Sequence, residues 1–252
     1  MALVDADWLA SDGPIRLNGS LSLKDLQGSL ILNHARLVMQ HLETSGGIKL
    51  TAGGNFNRKF VVQMVEEFEW PGYESEVIWK LNKVLNEEDF VPLNFLHGLL
   101  DVAGLVRKYK GTHRLSRLGR SFLSPDEAGE LMVVLFDGLF QRYNLGYLDR
   151  WQVRDNFQAQ IGLTLFLMSK FADKLSSPED LVTTTIDPLE EHSGPFKPKH
   201  IFRWRVLRYL EWFGLMETMP AAANDEWGSH DLYLKTPLYD LFLSFHIEAD
   251  IT

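Results

Sequence analysis

NFLHGLLDVAGLVRKYKGTHRLSRLGRSFL, residues 94–123, decides the architecture of this chain. Its first part is apolar at helical spacing, and Gly104 supplies a C-terminal stop. LVRKY, KG and THRLS then form two short strands around a Lys-Gly tip. Strand alternation turns Leu105 and Leu115 inward and leaves the Arg and Lys side chains outside. Helix, hairpin and helix in this order predict a winged-helix-like module whose hairpin is the wing.

Two further stretches follow the same plan. ARLVMQHLETSGGIKLTAGGNFNRKFV (35–61) has a helix, a Gly-Gly stop, a short strand and another helix. RWRVLRYLEWFGLMETMP (203–220), continued after an insertion by HDLYLKTPLYDLFL (230–243), repeats the helix and hairpin. Such self-similarity fixes architecture before any residue has a role. The expected fold is mainly α with small β-hairpins, an α+β chain of repeated winged-helix-like modules bridged by a central helical segment. The boundaries read as a loosely docked arm at 1–19, a first repeat at 20–83, a second at 84–123, a helical bridge at 124–186, a linker and domain seam at 187–200 and a third repeat at 201–252.

Within that frame the local signals are specific. Gly46 and Gly47 end a helix from about Gly28 to Glu43, and Asn57 opens the next, which runs to Phe68. Asn86 followed by three acids caps a helix from Phe90 to Ala103, with Pro92 in its first turn. Ser124-Pro125-Asp126-Glu127 starts a helix toward Tyr143, and a second long helix spans Asp155 to Leu175. Ile161 to Met168 is apolar on nearly all sides, which predicts deep burial. The final long helix covers Ile201 to Phe213.

Charge is distributed unevenly. The chain is acidic overall, with a formal charge of −9, which argues against a protein coated in nucleic acid but leaves room for a local basic face. Residues 66–89 carry eight acids against Lys80 and Lys83. Residues 107–120 carry Arg107, Lys108, Lys110, Arg114, Arg117 and Arg120 without an acid. The third repeat opens with Lys199, Arg203 and Arg205 before Glu211. A wing of this kind contacts phosphate without reading bases. The competing reading is a solvated face balanced by the neighbouring acids.

IKLTAGGNFNRKFV (48–61), the 84–123 segment and RVLRYLEWFGLME with LYLKTPLYDLFLSF (205–245) resemble the C-terminal portion of the Ri-plasmid open-reading-frame-three family. That resemblance implies a bacterial protein associated with plasmids and mobile elements. It supplies no reaction and no catalytic residues, and the family's N-terminal domain has no counterpart here.

Catalytic patterns are absent from the sequence. It has no HExxH, no G-x-S-x-G, no phosphate loop and no Cys. His34 and His41 share a helix face but make only half a metal site, and the Gly turn at 46–58 is explained by chain reversal as well as by anion binding. The expectation is a non-enzymatic protein without cofactor or metal. Lack of Cys and of a long apolar run suits a cytoplasmic location without a membrane partner. The favoured function is binding to a protein partner or self-association, with Trp227 in the polar AAANDEWGSH tip as an anchor. The alternative is DNA binding through the 107–120 wing and the 197–208 helix.

Overall fold

The computed structural model describes residues 3, 7–10, 12–148, 158–185, 197–220 and 231–246. Its elements run β1 (Ile15–Leu17), α1 (Leu30–Thr44), β2 (Ile48–Lys49), α2 (Arg58–Glu67), α3 (Ser75–Leu81), α4 (Val91–Val102), β3 (Val106–Tyr109), β4 (Thr112–Leu115), α5 (Arg117–Ser121) and α6 (Ala128–Asp137). They continue with α7 (Leu145–Leu148), α8 (Ile161–Phe171), α9 (Pro178–Thr185), α10 (Pro198–Phe202), α11 (Arg208–Trp212), β5 (Met216–Met219), β6 (Leu232–Lys235), α12 (Pro237–Phe242) and β7 (Leu243–Phe245). Short π-helical turns extend α6 through Gly138–Arg142 and join α10 to α11 through Arg203–Leu207. The fold is mixed α+β with small antiparallel sheets.

Two compact units divide the chain, one formed by 30–143 and the other by 1–29 with 144–252. In the 30–143 unit, α1 buries Ile31, Leu32, Ala35, Val38, Met39 and Leu42, the stripe that a 3.6-residue period puts on one face. Each of the larger of these side chains contributes roughly 1.5–3 kcal/mol when fully buried. Asn57 accepts from the Phe60 amide and so satisfies an orphan donor at the start of α2. Strand order is β2-β4-β3, with Ile48 opposite His113 and Val106 opposite Leu115. Leu115 is buried with its cross-strand partner Val106, and Leu105, which precedes β3, is buried as well, so the inward phase of the strand starts at Val106 and not at Leu105.

The expected boundary at 83/84 is crossed by this sheet, because β2 from the first look-alike stretch pairs with β4 from the second. Residues 30–116 therefore form one set of elements in the order helix, strand, helix, helix, hairpin, with α3 inserted. A two-residue strand cannot bury itself. It needs the hairpin as its partner.

The other unit repeats this order. α8, an isolated bridge between Ser176 and Tyr233, α9, the α10–α11 helix, β5, β6 and α12 match α1, β2, α2, α4, β3, β4 and α5. The match extends to single bonds. Gly104 and Gly214 both take left-handed backbone, at φ 71 and 78, and each precedes a Leu whose amide bonds back into the helix. Ser116 Oγ donates to the Gly104 carbonyl at 2.7 Å, and Thr236 Oγ1 donates to the Gly214 carbonyl at 2.7 Å. The three stretches read from sequence are thus parts of two complete sets, and the segment 161–185, expected to be a bridge, supplies the first half of the second.

Three other expectations change. The arm at 1–19 is not loosely docked: Ile15–Leu17 pairs with Leu243–Phe245, and Ile15 and Trp8 are buried. Burial of α8 is one-sided, with Leu163, Phe166 and Leu167 only half-buried. The helix α3 has no counterpart in the sequence reading, because its exposed Val77, Trp79 and Leu81 blur the amphipathic pattern. The seam placed at 187–200 lies mostly outside the described residues.

Candidate nucleic-acid interface

Register sorts the hairpin into two faces. Val106, Leu115 and His113 turn toward the helices, while Arg107, Tyr109, Thr112 and Arg114, joined by Lys49 opposite Thr112, lie on the solvent face. Arg107 and Arg114 are directly opposed cross-strand partners. With Lys110 they surround the Tyr109 ring, their charged groups 5.7, 5.0 and 5.4 Å from its centroid. None of Arg107, Lys110 and Arg114 has an ion pair among the described residues. At the tip Lys110 has φ 47 and Gly111 has φ 73, the two left-handed residues of a type I′ turn. Lys110 is the single non-glycine residue with positive φ among those described.

The remaining cations of the expected site are placed differently. Lys108 points to the helix side, 4.0 Å from Asp101 of α4. Arg117 is exposed on α5, and Arg120 is paired with Glu43 at 2.9 Å. The basic helix face expected at 197–208 does not form. Lys199 bonds Glu179 at 2.7 Å, Arg203 is half-buried against Asp231 and the Tyr233 hydroxyl, and Arg205 is buried at 3% exposure. Charge counting along a helix missed this, because the partners of Lys199 and Arg203 lie 20 to 30 residues away in sequence, on α9 and at the start of β6. Trp227 lies outside the described residues.

Helix α4 offers little to a groove. Its exposed positions are Val91, Asn94, Asp101 and Val102, and the space a Cβ would take at Gly98 is filled by the Tyr143 hydroxyl. The acids of 66–89 are largely engaged locally. Glu66 accepts from Trp79 and Ser75, which hold its carboxyl below the usual range. Glu67 pairs with His41, Glu88 accepts from Asn55, and Asp89 caps Asn86. Glu87 is buried and accepts from the Phe56 amide through one oxygen, while its other oxygen lies 2.5 Å from His97 Nδ1.

His113 sits on the helix side of this hairpin with neither ring nitrogen hydrogen-bonded, 3.7 Å from Asp101 Oδ1 and edge-on to His97. Burial, then the neighbouring His97, pushes its pKa down from 6.5 to about 4. A depressed folded pKa means that the unfolded chain binds the proton first, so stability present above pH 6.5 is lost as pH falls toward 4. We expect acidification across that window to cost the 30–143 unit roughly 2–3 kcal/mol. His113→Gln should flatten the acid limb of a urea-midpoint titration, and an unchanged limb would refute the assignment.

Other candidates are accounted for. His34 Nδ1 bonds the Leu30 carbonyl and Nε2 accepts from the Glu69 amide, the pattern of a satisfied core histidine. Among the described residues no group of three or more His, Asp or Glu could hold a metal ion. An open cleft of about 530 Å³ lies beside the Gly turn, lined in part by Asn55, Asn57, Arg58 and Asn86. Glu87 and Glu88 on its wall oppose an anion, and Arg58 is already bonded to Asn86 at 3.0 Å. Among the described residues no helix is long and apolar enough to cross a membrane.

No solved structure matches the chain. A relative named uncharacterized protein y4jL, from Sinorhizobium fredii, is 34% identical over 141 residues, which cover 56% of this chain. The chain spans 60% of that relative's length. Residues 27–129 match the family described as the Y4jL N-terminal domain, so the segment bearing the cationic hairpin is the one that resembles that family.

Proposed function

We propose that this chain is a non-enzymatic cytoplasmic binding protein built of two winged-helix-like modules, and that the first contacts the backbone of nucleic acid through the solvent face of its wing. Helix, strand, helix, helix and hairpin, with the first strand paired to the last, supports the winged-helix reading for both units. The observation that carries the functional reading is the opposed pair Arg107 and Arg114. Like charges directly across a sheet are destabilising. The fold itself does not demand them, since the matching positions of the second hairpin, Glu217 and Leu234, are not cations. Placing Lys110 in left-handed backbone adds a cost of about 1 kcal/mol or more that Asn or Gly would avoid. An anion between the arginines offsets both costs.

The net charge of −9 does not defeat this reading. At about 0.1 M salt the Debye length is roughly 10 Å, so distant exposed acids are screened while a phosphate in contact is not. Partner binding is less well supported. Its anchor Trp227 is outside the described residues, and the acidic stretch is largely bonded within its own unit.

Binding of a labelled oligonucleotide, followed by anisotropy over a salt series, tests the reading. Three to four cations engaging phosphate predict a log–log slope of about −2 to −4. Absence of binding at about 50 mM salt would sink it.

A further inference from the structure

We infer that the ligand of the wing is single-stranded nucleic acid, with Tyr109 as the platform on which a base stacks; this rests on the wing reading above. Two features of the site point away from duplex. A duplex reader of this architecture inserts a helix into the major groove, and α4 presents Val91, Asn94, Asp101 and Val102 there, with no cation. Asp101 is unfavourable beside a phosphate, and the Tyr143 hydroxyl fills the middle of that face at Gly98. Contact is thereby confined to the wing, a patch too small to follow both strands of a groove.

What the wing does present is the combination used on unpaired strands, an exposed aromatic ring among cations. Tyr109 is 40% exposed at the end of β3, on the same face as Arg107, Arg114 and Lys49. The guanidinium carbons of Arg107 and Arg114 lie 5.7 and 5.0 Å from its centroid, and Lys110 Nζ lies 5.4 Å away. A phosphate drawn between the arginines places the attached base within reach of the ring. The base must be unpaired to lie flat there, since a paired base shows the protein only its edge. The second hairpin has Met219 at the position of Tyr109 and lacks this platform.

The full chain is titrated with labelled oligothymidylate, oligouridylate and a duplex of equal length, about twenty nucleotides, at one salt concentration. The expected result is at least about tenfold tighter binding of one of the single strands, with the better of the two identifying DNA or RNA as its source. Tyr109→Ala should weaken single-strand binding about tenfold and leave duplex binding unchanged, while Tyr109→Trp retains it. Equal or tighter duplex binding, or an equal effect of Tyr109→Ala on both, overturns the inference. In that case loss of binding in Arg107→Ala still upholds the wing reading. Binding of polyphosphate as tight as that of any oligonucleotide overturns the inference too, and failure to bind any of them overturns both. Because Tyr109 lies on the solvent face of the hairpin and outside the buried core, thermal melts of the Tyr109 variants should match the parent, which separates lost stacking from lost fold.

Discussion

Reversing both opposed arginines, Arg107→Glu with Arg114→Glu, is expected to weaken nucleic-acid binding by at least about a hundredfold at 0.1 M salt, while leaving the melting temperature unchanged or raised. The two side chains share the solvent face of the sheet and have no carboxylate partner among the described residues. Reversal removes two phosphate contacts and adds repulsion. It should also cut the salt slope by about two. Stability should hold, because one like-charge pair is exchanged for another and neither side chain belongs to the core. Arg117→Glu supplies the control: exposed on α5, off the strand face, it should change affinity by less than about threefold. Binding that survives the double reversal would dismiss the wing as the interface.

Arg36→Ala is expected to destabilise the 30–143 unit by about 3 kcal/mol, which lowers the melting temperature by on the order of 10 °C. Arg36 is only 8% exposed on α1, and its guanidinium donates to the carbonyls of Phe122, Leu123 and Ser124 at 3.4, 3.2 and 3.1 Å. Those carbonyls belong to the turn that leads from α5 to α6, and among the described residues only that of Ser124 also accepts from a backbone amide, that of Glu127. Removing the donor leaves them under-satisfied. Arg36→Met keeps much of the apolar stem, so the difference between the two variants measures lost packing. Arg36→Lys should recover little, since an ammonium lacks the planar fork that serves several carbonyls at once. Equal melting of all four proteins would show that the turn is held by something else.

Arg36 also shows where sequence reasoning stops. In the sequence it is one cation on a helix, and its partners lie 86 to 88 residues away. The 106–115 hairpin was legible because its determinants are local. A stop glycine and a two-residue tip fixed β3 and β4, and left Arg107 and Arg114 outside, whereas Lys108, also expected outside, turned to the helix side. Tyr109 was missed as a site residue, although alternation places it on the face of Arg107 and an exposed aromatic at a cationic tip was a signal already present. Lys199, Arg203 and Arg205 were misplaced as a surface, because local charge does not reveal that Glu179 of α9 pairs with Lys199, that Asp231 and Tyr233 at the start of β6 engage Arg203, or that Arg205 is buried.

The repeats divide along the same line. Helix–stop–strand signals act over a few residues, so the chain by itself determined that such elements recur, where their caps lie, and that one hairpin is cationic. Pairing of a two-residue strand has no local signature; its partner is chosen by which hairpin edge is within reach when the helices bury their stripes. Only tertiary structure therefore decided that β2 joins β4, that three look-alike stretches make two sets, and that Ile15–Leu17 leaves the supposed arm to pair with Leu243–Phe245.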